Sequence, residues 1–390
     1  MNQGKYVFAQ LSDLINRYEF DQCVNKYKGN YRVRQFGCWE QFLVMSFAQL
    51  SFRESLRDIE CCLSSVQKKL YHCGIKSEVA RSTLAKANEN RSWEIYADVA
   101  GLLMQVAAPL YKGENKLARQ LQSSVYAFDS TTVSLCLSLF PWATYSSKRK
   151  AIKMHVLINT DGYIPEFVHI TTGNRQDMIM MDYLVYKAGC FYIVDKAYVD
   201  YERLYKIETS KAFFVTRAKG NMSYVVVQKK GVNKKAGIIK DEFVKMRRWH
   251  TRRWYPAEIR RIEYKDIITG LRLIFLTNNL HLDASIIAGL YKERWKIELF
   301  FKWIKQNLRI KRFYGNSENA VKTQIWIAVC NYLQIAIIKK RLNIEASLSK
   351  IMQVLSVSLF DKCEIKTLFC KQEAKAISAQ SLLFDNLTGQ

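Results

Sequence analysis

Proline is scarce, with four in 390 residues, and no stretch rich in Pro, Gly or Ser divides the chain. Flexible linkers are thereby excluded, and any boundary has to be read from a change of periodicity. Acidic residues are also in short supply: 35 Asp and Glu stand against 60 Lys and Arg, a formal charge of +25. Such an excess on a globular chain calls for a polyanion partner, most commonly nucleic acid. The ten cysteines include no C-x-x-C pair, which argues against a zinc ribbon. The local group Cys61, Cys62, His72 and Cys73 matches no ligand spacing and reads as buried thiols on helices. The longest mostly apolar run, Ile325 to Ile338, is broken by Asn331 and Gln334 and is too short to cross a bilayer. No basic cap precedes an apolar block at the N-terminus, so no membrane association and a reducing cytosol are expected. Apolar residues make up 49% and aromatics 13% of the chain, which excludes a disordered protein and leaves material for two or three domains.

Residues 1–120 have helical periodicity, through Phe42, Val44, Met45, Phe47 and Ala48 and again from Trp93 to Leu110. SFRESLRDIECCL and SEVARSTLAKANENR form two short helices around a turn at Gly74, with Ser82 or Thr83 as cap of the second. The pair suits both a helix-turn-helix, with its second helix in the major groove, and a structural bundle. Over 121–216 the period becomes strand-like: VYAFD (125–129), KMHVLI (153–158), PEFVHIT (165–171), FYIVD (191–195) and AFFVT (212–216), with helices at 177–188 and 198–207. Three close strands followed by alternating units predict one mixed sheet, antiparallel at its start and parallel in its continuation. Residues 217–272 interrupt it with 16 Lys and Arg against five Asp and Glu. Stretches such as SYVVVQ and EIRRIEYKD make this a basic β-rich insertion. Within it Trp249 and Trp254 interleave with Arg252 and Arg253, a mixture suited to gripping phosphates and stacking unpaired bases. A solvated β surface with two core tryptophans is the plainer reading. Residues 273–345 resume with the strand LRLIFLT and a long helix from Asp283 to Asn307, and 346–390 form a helical tail.

Asp129 and Asp195 each close an apolar strand, where a charge is costly unless it is paired or binds a cation. On the long helix, a rotation of about 100° per residue brings Tyr291, Arg294, Glu298 and Lys305 into an arc of roughly 60°. Ile286, Leu290, Ile297, Phe300, Phe301 and Ile304 fill the neighbouring arc, while Trp295, Lys296, Lys302 and Trp303 lie opposite. An ordinary Arg294–Glu298 pair at i,i+4 accounts for two residues of the stripe but not for Tyr291 and Lys305.

Tyr291-x2-Arg294-x3-Glu298-x6-Lys305 resembles the Tyr-Arg-Glu-Lys motif of bacterial insertion-sequence transposases of the DDE class. FDSTT (128–132) looks like the first-aspartate strand of that family, and VDKAY (194–198) like its Asp-Arg-Gly-Tyr segment, with Lys196 and Ala197 as departures. RESLRDIE and RSTLAKANENR are similar to its DNA-binding region. The resemblance implies an α/β fold: an RNase H-like mixed-sheet catalytic core with a β-rich insertion, behind a helical N-terminal DNA-binding domain. It further implies that Asp129, Asp195 and Glu298 are catalytic and hold two Mg2+ ions, with Mn2+ as a substitute, to nick an element end and join its 3′-OH to target DNA. Tyr291, Arg294 and Lys305 would contact phosphates, and Trp249 or Trp254 a base flipped from a DNA hairpin. Lys153 and His155, which share one strand face after KRK (148–150), are further candidates for the DNA side, with a packed His155 as an equal reading. The expected partners are double-stranded DNA with terminal inverted repeats, target DNA and a second copy of the chain. Two alternatives remain: an RNase H-like nuclease or resolvase that cuts without joining, and a domesticated DNA-binding protein without activity.

Overall fold

The computed structural model describes residues 4–146, 149–308 and 312–370; Lys148 of the basic run and the end of the tail (371–390) lie outside them. Two compact units result, one of residues 1–110 with 303–390 and one of 111–302.

In the first unit the chain runs through α1 (Val7–Ser12), α2 (Arg17–Lys26), α3 (Cys38–Leu50), α4 (Leu56–Ser65), α5 (Gln67–Tyr71), α6 (Arg81–Asn90) and α7 (Glu94–Leu110). Ser82 and Thr83 do not cap α6. The helix begins earlier, at Arg81 after Ala80, and the carboxylate of Glu60 on α4 accepts the Arg81 N–H at 2.8 Å. A distant acid thus satisfies a helix-end donor that sequence proximity assigned to a neighbour. Of the cysteine group, only Cys73 is buried; Cys62 is half-buried and Cys61 exposed, and all are free thiols.

The second unit is built on a ten-stranded sheet. Its helix α8 (Lys116–Leu121) leads into β1 (Val125–Leu135), β2 (Thr144–Ser146), β3 (Arg149–Asn159) and β4 (Ile164–Thr172), then β5 (Phe191–Val194), α9 (Tyr201–Thr209) and β6 (Phe213–Arg217). β3 pairs antiparallel with β1 and β4, whereas β5 runs parallel to β1 and β6 parallel to β5. The predicted change from antiparallel to parallel is therefore observed, and the order β4-β3-β1-β5-β6 fits an RNase H-like core. All four residues of β5 are buried because both sheet faces are covered. Tyr192 and Val194 join one core cluster, Phe191 and Ile193 the other. In place of the helix expected over 177–188 there is a 3-10 turn, Asp177–Tyr183.

The basic insertion extends this same sheet. β7 (Tyr224–Lys229), β8 (Ile238–Met246), α10 (Trp249–Trp254), β9 (Ile259–Lys265) and β10 (Arg272–Thr277) follow in the chain, and β10 lies between β6 and β9. The predicted helix 283–307 is interrupted at Arg294, giving α11 (Ala284–Glu293) and α12 (Trp295–Asn307) with i→i−3 hydrogen bonds at the junction.

Back in the helical unit, α13 (Glu318–Arg341) precedes α14 (Leu348–Ser358). At 24 residues, α13 is longer than the sequence run implied and meets the length and hydropathy of a membrane span, yet 94% of its most apolar window is buried. Its polar interruptions serve packing: Asn331 donates to Gln49 at 2.8 Å and Gln334 to the Leu11 carbonyl at 2.9 Å. Hydrogen-bonded in this way, polar groups are tolerated in a core. Trp303, expected on the side of its helix opposite the apolar and polar arcs, is buried edge-on against Tyr332 in this unit.

Candidate active site

Strand register brings the two aspartates together. Phe128 on β1 pairs with Val194 on β5, so the next residues, Asp129 and Asp195, emerge side by side at a spacing of about 4.8 Å between strands. Strand alternation sends both toward the face that carries Val125, Ile193, Val215 and the helix residues Leu290 and Tyr291.

Arg294, at the α11–α12 junction, bridges two of the carboxylates. Its Nη1 donates to Asp129 Oδ2 at 3.1 Å and its Nη2 to Glu298 Oε1 at 2.7 Å. The i,i+4 pair foreseen as the plain reading is present, but the second arm of the fork reaches across to the sheet. Asp195 Oδ1 accepts from Arg217 Nη2 at 2.8 Å and from the Tyr291 hydroxyl at 3.0 Å. Both guanidiniums lie near the Tyr291 ring, at 5.7 Å for Arg217 and 5.9 Å for Arg294.

The electrostatics separate the two aspartates. Burial pushes Asp129 up to about 6, reinforced by Asp195 and Glu298 and opposed by the Ser130 N–H and Arg294. Burial also acts on Asp195, but the Lys196 N–H, Arg217 and Tyr291 outweigh it and hold this acid below the usual carboxylate range. The Tyr291 phenol is pushed up to about 12 by burial and by Asp195, so it stays a donor. Carboxylate oxygens are the hard donors that a divalent cation prefers, and the buried charge of Asp129 is poorly compensated. In this arrangement no group of three acidic, His or Cys side chains among the described residues is open to one; guanidiniums stand beside the acids instead.

The remaining candidates fall into three places. Lys305 is half-exposed on α12, seven residues beyond Glu298. Lys153 and His155 do share a face, as the alternation required, but it is the face of Ser130, opposite to that of Asp129. There Lys153 pairs with Asp177 at 3.2 Å, and fully buried His155 meets Thr171 Oγ1 at 2.9 Å. Burial, partly offset by Asp177, depresses the imidazole to about 4, so it is neutral at physiological pH. Trp249 and Trp254 occupy neither a strand nor the core: both are exposed on α10, at 74% and 47%, with Arg252 and Arg253 beside them. The Arg253 guanidinium lies 5.8 Å from the Trp249 ring. This short helix hangs on buried Tyr255, which donates to Glu208 and packs on Phe214 and Tyr205.

Arg217 is the residue that sequence reasoning missed. It closes β6 as Asp195 follows β5, and the register Ile193–Val215 sets the two level. The criterion that singled out the aspartates, a charge ending a buried strand, applies equally to this arginine.

Residues 120–334 match the family described as Transposase DDE domain, and residues 3–76 match a domain of unknown function, DUF4372. A protein of Sinorhizobium fredii named as a transposase is 32% identical over 286 residues, 72% of this chain and 78% of the relative. One of Geobacillus stearothermophilus, named as a transposase for an insertion sequence element, is 28% identical over 273 residues, 68% of this chain and 70% of the relative. Among solved structures, a chain of the piggyBac transposase synaptic complex with hairpin DNA aligns with TM-score 0.48 and 12% identity, over 99% of this chain and 86% of that chain.

Proposed function

The chain belongs to the family of transposases with a DDE domain, and we propose that Asp129, Asp195 and Glu298 are the carboxylates with which it cuts and joins DNA. One observation carries this assignment: three acids from a strand, a strand end and a helix converge where Arg294 bridges two of them and the third stands on the adjacent strand. The family depends on a divalent metal, and a pair of Mg2+ ions, replaceable by Mn2+, would supply activation of the attacking oxygen and stabilisation of the leaving one. Asp129, Asp195 and Glu298 would hold the metal in this reading. The Arg294 fork suits bidentate contact with a phosphate, Lys305 a point charge, and Tyr291 a single hydroxyl donor. These four helix residues follow the Tyr-Arg-Glu-Lys pattern, and we place the chain in that subgroup.

The substrates are the terminal inverted repeats of the element and a target duplex, engaged by a homodimer in the cytoplasm. DNA recognition falls to the helical N-terminal region. There α6 turns Arg81, Ser82, Thr83 and Lys86 outward, beside a cleft that also draws in Lys28 and Arg34. Trp249 is the better exposed tryptophan and has a guanidinium over it, so it is assigned to stack an unpaired base. Trp249→Ala is expected to lower the yield of end cleavage about tenfold, as loss of one base stack implies, and Trp254→Ala by less. A 2-aminopurine reporter at the element end, quenched by wild type and Trp254→Ala but not by Trp249→Ala, checks this; the reverse pattern reassigns the role.

Purified protein with labelled terminal repeats and Mg2+ tests the whole reading in a gel assay. Glu298→Gln is expected to reduce nicked and joined products at least about 100-fold, with DNA retention unchanged. Cleavage without joining would make the chain a nuclease. DNA retained without products in either protein would make it a binder.

A further inference from the structure

Each acid of the active site already has a guanidinium of the chain within ion-pair distance, and the manner of it is specific. Arg294 does not merely lie near Asp129 and Glu298. It spends one terminal nitrogen on each, at 3.1 and 2.7 Å, so its guanidinium fills the position between the two carboxylates. The side chain is 14% exposed, and its Nε is buried with no hydrogen-bond partner. Arg217 does the same for Asp195, and its Nε too is buried and unpartnered. Tyr291 lies close to both guanidiniums and donates to Asp195. An unmet buried donor is costly, so each guanidinium keeps hydrogen-bonding capacity that an incoming acceptor could satisfy.

We propose that Arg294 and Arg217 are resident counter-ions which keep the three carboxylates from taking up divalent cations until DNA phosphates draw the guanidiniums away. A bridging guanidinium and a divalent cation cannot occupy the same space between Asp129 and Glu298, and their like charges repel strongly at such separation. A phosphodiester offers the guanidinium a bidentate anion of equal geometric quality. Metal loading thus becomes coupled to the presence of substrate, and a free copy of the enzyme is a poor nuclease. This inference rests on the assignment of Asp129, Asp195 and Glu298 as the metal-holding acids.

Mn2+ titration of the full chain without DNA, followed by electron paramagnetic resonance of the free ion, tests it independently of activity. Removing a competing positive charge at contact distance is expected to make Arg294→Gln bind Mn2+ at least about tenfold more tightly than wild type. Arg217→Gln should bind it more tightly by a smaller factor, since it releases one acid rather than two. The double variant Asp129→Asn with Arg294→Gln should bind no more tightly than wild type, which locates the gain at these acids. Arg294→Lys, a milder change that keeps the charge but cannot bridge, should fall between wild type and Arg294→Gln and carries the test if the glutamine variant misfolds. Equal or weaker Mn2+ binding by the Arg294 variants overturns the gate. If wild type nevertheless cleaves element ends in the gel assay, the proposed reaction stands without it.

Discussion

Asp129→Asn is expected to abolish end cleavage, by about a thousandfold or more, while raising the stability of the folded chain at neutral pH. Asp129 is the most deeply placed acid of the three: its side chain is 20% exposed against 25% for Asp195 and 35% for Glu298, so water is the least able to stand in for it. Burial, with Asp195 and Glu298 behind it, lifts its protonation to about 6 from the ordinary 3.8. The folded state therefore disfavours the ionised acid. Below the ordinary value the residue is neutral in both folded and unfolded chains and has no linked effect. As pH rises the unfolded chain ionises first, and stability is lost until the folded acid follows near 6. Above that pH the penalty is constant at roughly 3 kcal/mol. Asparagine removes the charge, and Arg294 retains Glu298 as its partner. Thermal melts should show the variant a few degrees above wild type at pH 7.5, with the difference shrinking toward zero at pH 4. A variant that melts below wild type at pH 7.5, or one that still cleaves, would refute the account of Asp129 as an acid held in an unfavourable place for its chemistry.

The separation between what the residues announced and what they concealed follows range. A charge ending an apolar strand is a local conflict, visible without knowing the strand's neighbours, and it marked Asp129 and Asp195. The stripe of Tyr291, Arg294 and Glu298 is set by helix geometry and survived the break at Arg294, because one tightened turn displaces a helical face little. Lys153 and His155 show the limit. Alternation tells which residues share a face but not which face looks toward the acids, since that depends on the pairing of Ser130 with His155. Trp249 and Trp254 were assigned to a β-rich stretch because a six-residue helix is too short to impose a period of its own. Arg217 met the same local criterion and was passed over; its pairing with Asp195, on a different strand, is what only the parallel register reveals. The α6 terminus was misread likewise, its acceptor Glu60 being supplied by another helix.

Long-range dependence of this kind also sets the largest expected effect on stability, that of Asp241→Asn. Arg260 and Asp241 face each other across β9 and β8 in the insertion, almost fully buried, with Nε–Oδ1 at 2.8 Å and Nη2–Oδ2 at 2.7 Å. Breaking a buried pair of this geometry leaves a desolvated guanidinium uncompensated and costs about 3–5 kcal/mol. For a unit of this size, that lowers the melting temperature by on the order of 10 °C. The consequence reaches the chemistry, because the remaining nitrogen of Arg260 donates to the carbonyls of Asn279 and Leu282. Those residues form the turn that delivers α11, and with it Tyr291 and Arg294, to the sheet. Replacing both partners by Arg260→Met and Asp241→Leu removes the uncompensated charge and should recover most of the stability. It does not restore the anchor of the turn, so cleavage should stay low at a temperature where the double variant is fully folded. Recovery of both stability and cleavage would mean that the turn needs no anchor from Arg260; recovery of neither would mean that the bidentate pair is itself required for the insertion to continue the sheet.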